Sequence, residues 1–260
     1  MSRIDEARGA FLKKDLSGTR ESHATAIIHH VVHHQEVHRT NFNLPQIILG
    51  GQDGLVNVLG IILGVAAATS SNQIVIIAGL SATFAESISM AAVAYTSKLA
   101  EADYYQSELE RERWEIEHVP AGEREEIKAL YENYGFKGKT LKEIVDRITL
   151  DKETWLKVMM EQELKLEPID RKEALPAGII VGFSAVVGSF IPLLPFFFLP
   201  PKLAMCLSLF VTSITLFVIG YYKAKVTLGR NFLKMGIEIM VIGMASALVV
   251  FFVGKTLEIK

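Results

Sequence analysis

The stretch "GGQDGLVNVLGIILG", residues 50–64, places a single aspartate, Asp53, in an otherwise apolar run, and no other charge stands between Leu44 and Ala68. A run of that length fits a helix crossing a hydrocarbon core, which takes about 20 residues. A carboxylate at the centre of such a helix costs roughly 2.5–3.5 kcal/mol on insertion scales and is normally retained for function. The run therefore predicts both a membrane span and a functional residue inside it.

Working outward from this first span (45–69), four more runs are long enough to cross: 74–97, 175–198, 203–222 and 232–253. The second carries only Glu86, the third and fourth carry no charge, and the fifth has Lys234 and Glu238 in its first two turns. A four-span count competes, because "FFFLPPKLAM" gives little polar punctuation between the third and fourth runs. Pro200, Pro201 and Lys202 nevertheless make a tight turn there.

The charges are segregated. Of 29 acidic residues, 20 lie between Lys98 and Glu173, so the chain alternates between membrane and water. Half the residues are hydrophobic and the mean hydropathy is positive, which excludes a disordered protein. A net charge of −2, with no basic stripe, gives no reason for a nucleic-acid partner. Cys206 has no second cysteine to pair with and reads as a small buried hydrophobe. The first residues, "MSRIDEARGAFLKKDLSGTRESH", lack a signal-peptide core, so the first span is expected to direct insertion.

The expected class is an all-α membrane protein: five transmembrane helices, with a cytoplasmic helical metal-binding domain between spans two and three. Its parts are an interfacial segment (1–43), spans one and two (44–97), the soluble domain (98–173) and spans three to five (174–260). Lys and Arg near the span ends set the orientation. Arg39, Lys98, Arg171, Lys172, Lys223, Lys225 and Arg230 fall on one side, against Lys202, Lys255 and Lys260 on the other. The N-terminus and 98–173 are expected in the cytoplasm and the C-terminus outside.

In "HATAIIHHVVHHQEVHR", residues 23–39, His30, His34 and His38 share a helical face with His29 and His33 beside them. A metal-collecting helix is one reading. An amphipathic helix at the cytoplasmic interface is the other, and the periodicity alone accounts for it.

Asp53, Asn57, Gly60 and Gly64 share one helix face, and Thr83, Glu86 and Met90 share another. Small residues beside them, Gly50, Gly54, Ala82 and Ala85, suit close helix packing. Carboxylates favour hard divalent ions and a thioether favours softer ones, so a mixed site leans toward Fe²⁺ or another late first-row metal. The alternative is a buried structural pair of acids.

The 98–173 segment reads as four helices. The first continues out of span two to Pro120, and the second, "EREEIKALYENYG", ends at Gly135. The third opens with a capping box from Thr140 to Glu143, and the fourth follows Asp151 as N-cap. Glu112 and Glu115, then Glu123 and Glu126, then Met160 and Glu163 each sit three residues apart, so three helices offer a ligand pair to one site. Spacing alone favours a solvated acidic face laced with Arg111, Arg113 and Arg124. Glu115 and His118 form a single Glu-x-x-His pair, whereas a di-iron bundle needs two. No nucleotide-cradling Gly-Lys-Ser/Thr loop and no nucleophile–base set stands out, so neither an ATP-driven pump nor an enzyme is expected.

Five pieces, in order, give the chain a resemblance: "DGLVNVLGIILGVAAA", "SISMAA", "ELERERWEIE", "MMEQEL" and "GIEIMVIGMASALVVFFVGK". Together they resemble the vacuolar iron transporter family. The resemblance implies a five-span homodimer that exports Fe²⁺ from the cytoplasm in exchange for protons along its two-fold axis. It implies functional roles for Asp53 and Met90, and metal binding by Glu112, Glu115, Glu123, Glu126, Met159, Met160 and Glu163. One departure stands out. Where many members follow Ser-Met-Ala-Ala with Gly-Glu and an aromatic, this chain has Val93, Ala94 and Tyr95. Its span-two carboxylate, Glu86, comes a turn before the methionine instead.

The functional expectation is a secondary transporter of divalent transition metal, Fe²⁺ with Mn²⁺ second, with path residues Asp53, Asn57, Glu86 and Met90. Metal is its substrate and no prosthetic group is expected. Its partners are metal ions, protons, the bilayer and a second copy of the chain. The competing expectation is a membrane-anchored metal sensor or store, and a mere anchor has no use for paired intramembrane acids.

Overall fold

The computed structural model describes Lys13, Asp15 and residues 44–69, 71–227 and 231–256, so the histidine segment lies outside the described residues. Among the described residues from Leu44 onward, eight α-helices follow in order. They are α1 (Leu44–Ala68), α2 (Asn72–His118), α3 (Pro120–Asn133), α4 (Gly138–Thr149), α5 (Lys152–Val158), α6 (Ala174–Leu193), α7 (Pro201–Thr227) and α8 (Phe232–Thr256). A wide π-helical turn, Met159–Glu163, continues α5, and short 3₁₀ turns flank α6 at Arg171–Glu173 and Leu194–Phe197. No strand occurs among the described residues. Five helices (α1, α2, α6, α7 and α8) are long and apolar enough to cross a membrane.

Five spans form, not four, because the α6–α7 connection is a built turn. Asn72 Nδ2 donates to the carbonyls of Phe196 (3.0 Å) and Leu199 (2.6 Å), and Ser208 Oγ donates to that of Pro192 (2.6 Å). These side chains satisfy carbonyls left open where the helix ends, which lipid could not do.

The chain divides into two compact units, one from the residues up to Ser87 with Phe183 onward, the other Ile88–Gly182. In the first, α1 is central: Leu55, Val58, Leu59, Ile62 and Leu63 are fully buried against Leu193, Phe196, Leu216, Ile239 and Ala247. Apolar side chains such as Phe210, Val218, Val241 and Phe252 point outward instead, as lipid allows. Glycine lets α1 and α6 touch. A Cβ added at Gly54 would lie 2.3 Å from the Ala185 carbonyl oxygen, and one at Gly188 would lie 2.1 Å from that of Gly51.

The second unit has its own apolar core, with Ile116, Ile127, Leu141, Val145, Ile148, Trp155, Leu156, Met159 and Met160. Asp151 caps α5 as expected: its Oδ2 accepts from the Thr154 N–H (2.9 Å) and hydroxyl (2.6 Å). The capping box expected at Thr140 does not form. Gly135 (φ +92°) and Gly138 (φ +58°) turn the chain earlier, α4 starts at Gly138, and Thr140 falls inside the first turn. In the π turn the Leu164 N–H reaches the Met159 carbonyl at 3.0 Å, five residues back. This wide turn buries two successive residues, Met159 and Met160.

Candidate metal sites

Within the first unit, α1 and α2 bring three of the expected path residues together. Asn57 Nδ2 donates to Glu86 Oε1 at 2.7 Å, and the Asp53 carboxyl is within hydrogen-bonding reach of Glu86. Spacing put Asp53 and Asn57 one turn apart on α1, and the fold sets Glu86 opposite them. A cavity of about 480 Å³ runs along this face, lined by Gln52, Asp53 and Asn57 of α1, Lys223 of α7 and Ser246 of α8. Two acids and an amide beside a cavity can accept a divalent ion stripped of part of its water.

Other expected members lie elsewhere. Gly60 packs against α8, where an added Cβ would be 2.9 Å from Val250 Cβ, so the polar stripe stops at Asn57. Thr83 is fully buried and donates to the Gly79 carbonyl of its own helix at 2.8 Å. Met90 is half-buried one turn beyond Glu86 on α2 and belongs to the second unit. Lys223 and Ser246 were not anticipated. Lys223 carried a signal only as a topology marker, and no pattern singled out Ser246.

In the second unit α2 and α3 converge their glutamates. One carboxylate oxygen from each of Glu112, Glu115 and Glu123 lies within 4.8 Å of the others. Glu112 and Glu123 are only 1% and 4% exposed, and Oε2 of each has no hydrogen-bond partner. Carboxylate oxygens buried without a hydrogen-bond partner are costly unless a proton or cation satisfies them. Arg111 supplies partial compensation, with Nη2 2.5 Å from Glu112 Oε1 and Nη1 2.5 Å from Glu115 Oε2.

The electrostatics match that geometry. Burial, then the charges of Glu112 and Glu126, push the Glu123 carboxyl up to about 8. Burial, then Glu126 and Glu112, push Glu163 to about 7. Glu112 is also raised by burial, with Arg111 opposing. The Glu126 charge thus acts on Glu112, Glu123 and Glu163, and that of Glu112 on Glu163 as well. Met159 and Met160 are buried in the apolar core beside Glu163 in sequence. His118 stacks on Trp114 (ring centroids 4.3 Å apart, 13° between planes), with Nδ1 2.8 Å from the Trp114 carbonyl oxygen.

These raised values fix a sign. The folded chain holds protons at Glu123 and Glu163 that the unfolded chain, near the ordinary 4.5, has released. The stability they contribute is whole below 4.5 and is lost as pH rises through about 7 and about 8. Metal-free protein is therefore expected to melt at a lower temperature at about pH 9 than at about pH 6, with Glu123→Gln flattening the difference. A thermal-melt series across pH in detergent checks this, and an unchanged slope in the variant would refute it.

The VIT family model matches residues 44–255. Similar proteins include vacuolar iron transporter 1 of Oryza sativa subsp. japonica, 33% identical over 234 residues, covering 89% of this chain and 92% of the relative. Vacuolar iron transporter 1 of Arabidopsis thaliana is 33% identical over 228 residues, 87% of this chain and 91% of the relative. The vacuolar iron transporter of Plasmodium falciparum (isolate 3D7) is 32% identical over 264 residues, 97% and 96% of the two chains.

Proposed function

Because the chain belongs to the VIT family, we propose that it is a secondary transporter carrying Fe²⁺, with Mn²⁺ second, out of the cytoplasm in exchange for protons. Its path lies at the two-fold axis of a homodimer and uses Asp53, Asn57, Glu86 and Met90. The observation that carries this reading is the Asp53–Asn57–Glu86 constellation across two candidate spans, beside a cavity. A protein that only anchors a metal store needs no such pair of acids. The relatives are named as iron transporters, which favours transport over catalysis.

Each step has a physical basis. Asp53 and Glu86 supply negative charge to a dehydrating cation, Asn57 orients Glu86, and the Met90 thioether favours softer transition metals over Mg²⁺ or Ca²⁺. The same acids can take protons when the metal has left, which couples the two fluxes. Ile47 and Leu49 of α1 are 48% and 57% exposed, an apolar surface a second copy would cover. The 98–173 domain collects metal through Glu112, Glu115, Glu123, Glu126, Met159, Met160 and Glu163.

Proteoliposomes test the function directly. Fe²⁺ uptake is expected to rise when an opposing proton gradient is imposed, with Mn²⁺ moving more slowly. Uptake indifferent to the gradient would remove proton exchange, and no uptake of either metal would remove transport.

The proposed topology has 1–43 and 98–173 in the cytoplasm and the C-terminus on the far side, following the Lys/Arg asymmetry. In a Cys206→Ala background, a cysteine replacing Lys202 is expected to be labelled only from outside, and one replacing Gly138 only from the cytoplasm. Labelling of both from one face would end the five-span orientation.

A further inference from the structure

Arg111 holds three glutamates at once. Its Nη2 is 2.5 Å from Glu112 Oε1 and 2.8 Å from Glu108 Oε2, its Nη1 is 2.5 Å from Glu115 Oε2, and its Nε donates to Glu108 Oε2 at 3.0 Å. Two of those glutamates, Glu112 and Glu115, are also in the convergent group with Glu123. The third, Glu108, is not. A guanidinium therefore engages one oxygen of Glu112 and one of Glu115, while the buried Oε2 atoms of Glu112 and Glu123 stay unpartnered.

We infer that Arg111 is a built-in stand-in for the metal: it neutralises Glu112 and Glu115 in the empty site, and incoming cation displaces it onto Glu108. The inference rests on the reading of this cluster as a metal-collecting site. The geometry supports displacement, because Arg111 already makes a two-point contact with Glu108 and can release the other two without losing a charged partner. Glu108 lies one turn before Arg111 on the same helix, so the move needs only a change of side-chain rotamer. At 44% side-chain exposure the guanidinium has room to make it.

The stand-in has a functional consequence. An empty cluster of bare carboxylates would bind a divalent ion tightly and release it slowly, because the dissociation rate falls as affinity rises. A cation that must evict an arginine binds more loosely and leaves sooner. The device sets the cluster for relay, not storage.

The sign of one substitution separates this from a structural role. Calorimetric Co²⁺ titration of the full-length detergent-solubilised protein is made at one fixed pH for every variant. Arg111→Gln is expected to bind Co²⁺ about tenfold more tightly than wild type, about 1.4 kcal/mol. Arg111→Lys, a point charge without the fork, is expected to fall between them. Glu108→Gln removes the alternative seat and is expected to weaken binding in wild type but to change nothing in the Arg111→Gln background. If Arg111 merely holds the glutamates in place, Arg111→Gln weakens binding instead, and that result overturns the inference. So does equal binding, or an effect of Glu108→Gln that survives without Arg111. Wild type that binds no Co²⁺ would instead remove the metal-collecting reading itself, and this inference with it.

Discussion

Asp53→Asn is expected to reduce gradient-driven Fe²⁺ uptake to near the empty-liposome background, and Glu86→Gln to do nearly the same. Each substitution keeps the size and most of the hydrogen-bonding capacity of the side chain and removes the charge. A divalent ion leaving water needs oxygen ligands that carry charge, and an amide in a low-dielectric setting compensates far less of its lost hydration. Glu86→Gln also leaves Asn57 Nδ2, now 2.7 Å from a carboxylate oxygen, with a weaker neutral acceptor. Folding is expected to survive both, because an uncharged side chain costs less to bury than the acid it replaces. Size-exclusion profiles and melting temperatures like those of wild type would separate lost transport from lost assembly. Met90→Leu, close in volume, is expected to alter the ratio of Fe²⁺ to Mn²⁺ uptake with little effect on assembly. Normal uptake by Asp53→Asn under a pH gradient would make the carboxylate structural and remove the central argument.

The Glu112→Gln/Glu115→Gln double variant is expected to lose Co²⁺ binding by at least a hundredfold in calorimetry of the full-length protein, while retaining part of its transport. Glu112 and Glu115 are two of the three convergent carboxylates, and affinity at oxygen sites follows ligand charge. Metal binding stabilises whatever state it binds, so Co²⁺ is also expected to raise the melting temperature of wild type and not of the variant. Protons compete for the same oxygens, so the wild-type shift should shrink as pH falls. Partial transport follows if the cluster only feeds the path. Complete loss of transport in a folded double variant would make the cluster part of the path itself, and equal binding by both proteins would leave a solvated acidic face.

Much of this was legible in the chain. Five spans follow from apolar runs of sufficient length, and one charge in such a run draws attention to Asp53, which the proposed path uses. The convergence of Glu112, Glu115 and Glu123 also follows from helical spacing, once two helices face each other. What was not legible depended on what lies opposite a given residue. Gly60 is in phase with Asp53 and Asn57, but by that level of α1 the neighbouring surface is Val250 of α8. The Thr140 box failed because positive-φ glycines at 135 and 138 had already turned the chain, and their angles cannot be read from composition. The π turn leaves no periodic trace, since one added residue in a single turn resembles ordinary drift in phase. Arg111 was visible as a charge between glutamates. Only its distances distinguish a bridging guanidinium from surface lacing.

The backbone contact of α1 with α6 constrains how the protein can move. At Gly51–Gly188 and Gly54–Ala185 the helices meet through backbone, with only the small Ser189 hydroxyl beside Gly54, and long side chains are what let packed helices slide by changing rotamer. These stretches of α1 and α6 therefore behave as one girder. Asp53 sits on that girder, between Gly51 and Gly54. If Asp53 lines the proposed path, the transport cycle has to swing the remaining walls of the cavity, α7 and α8, around an aspartate that stays still.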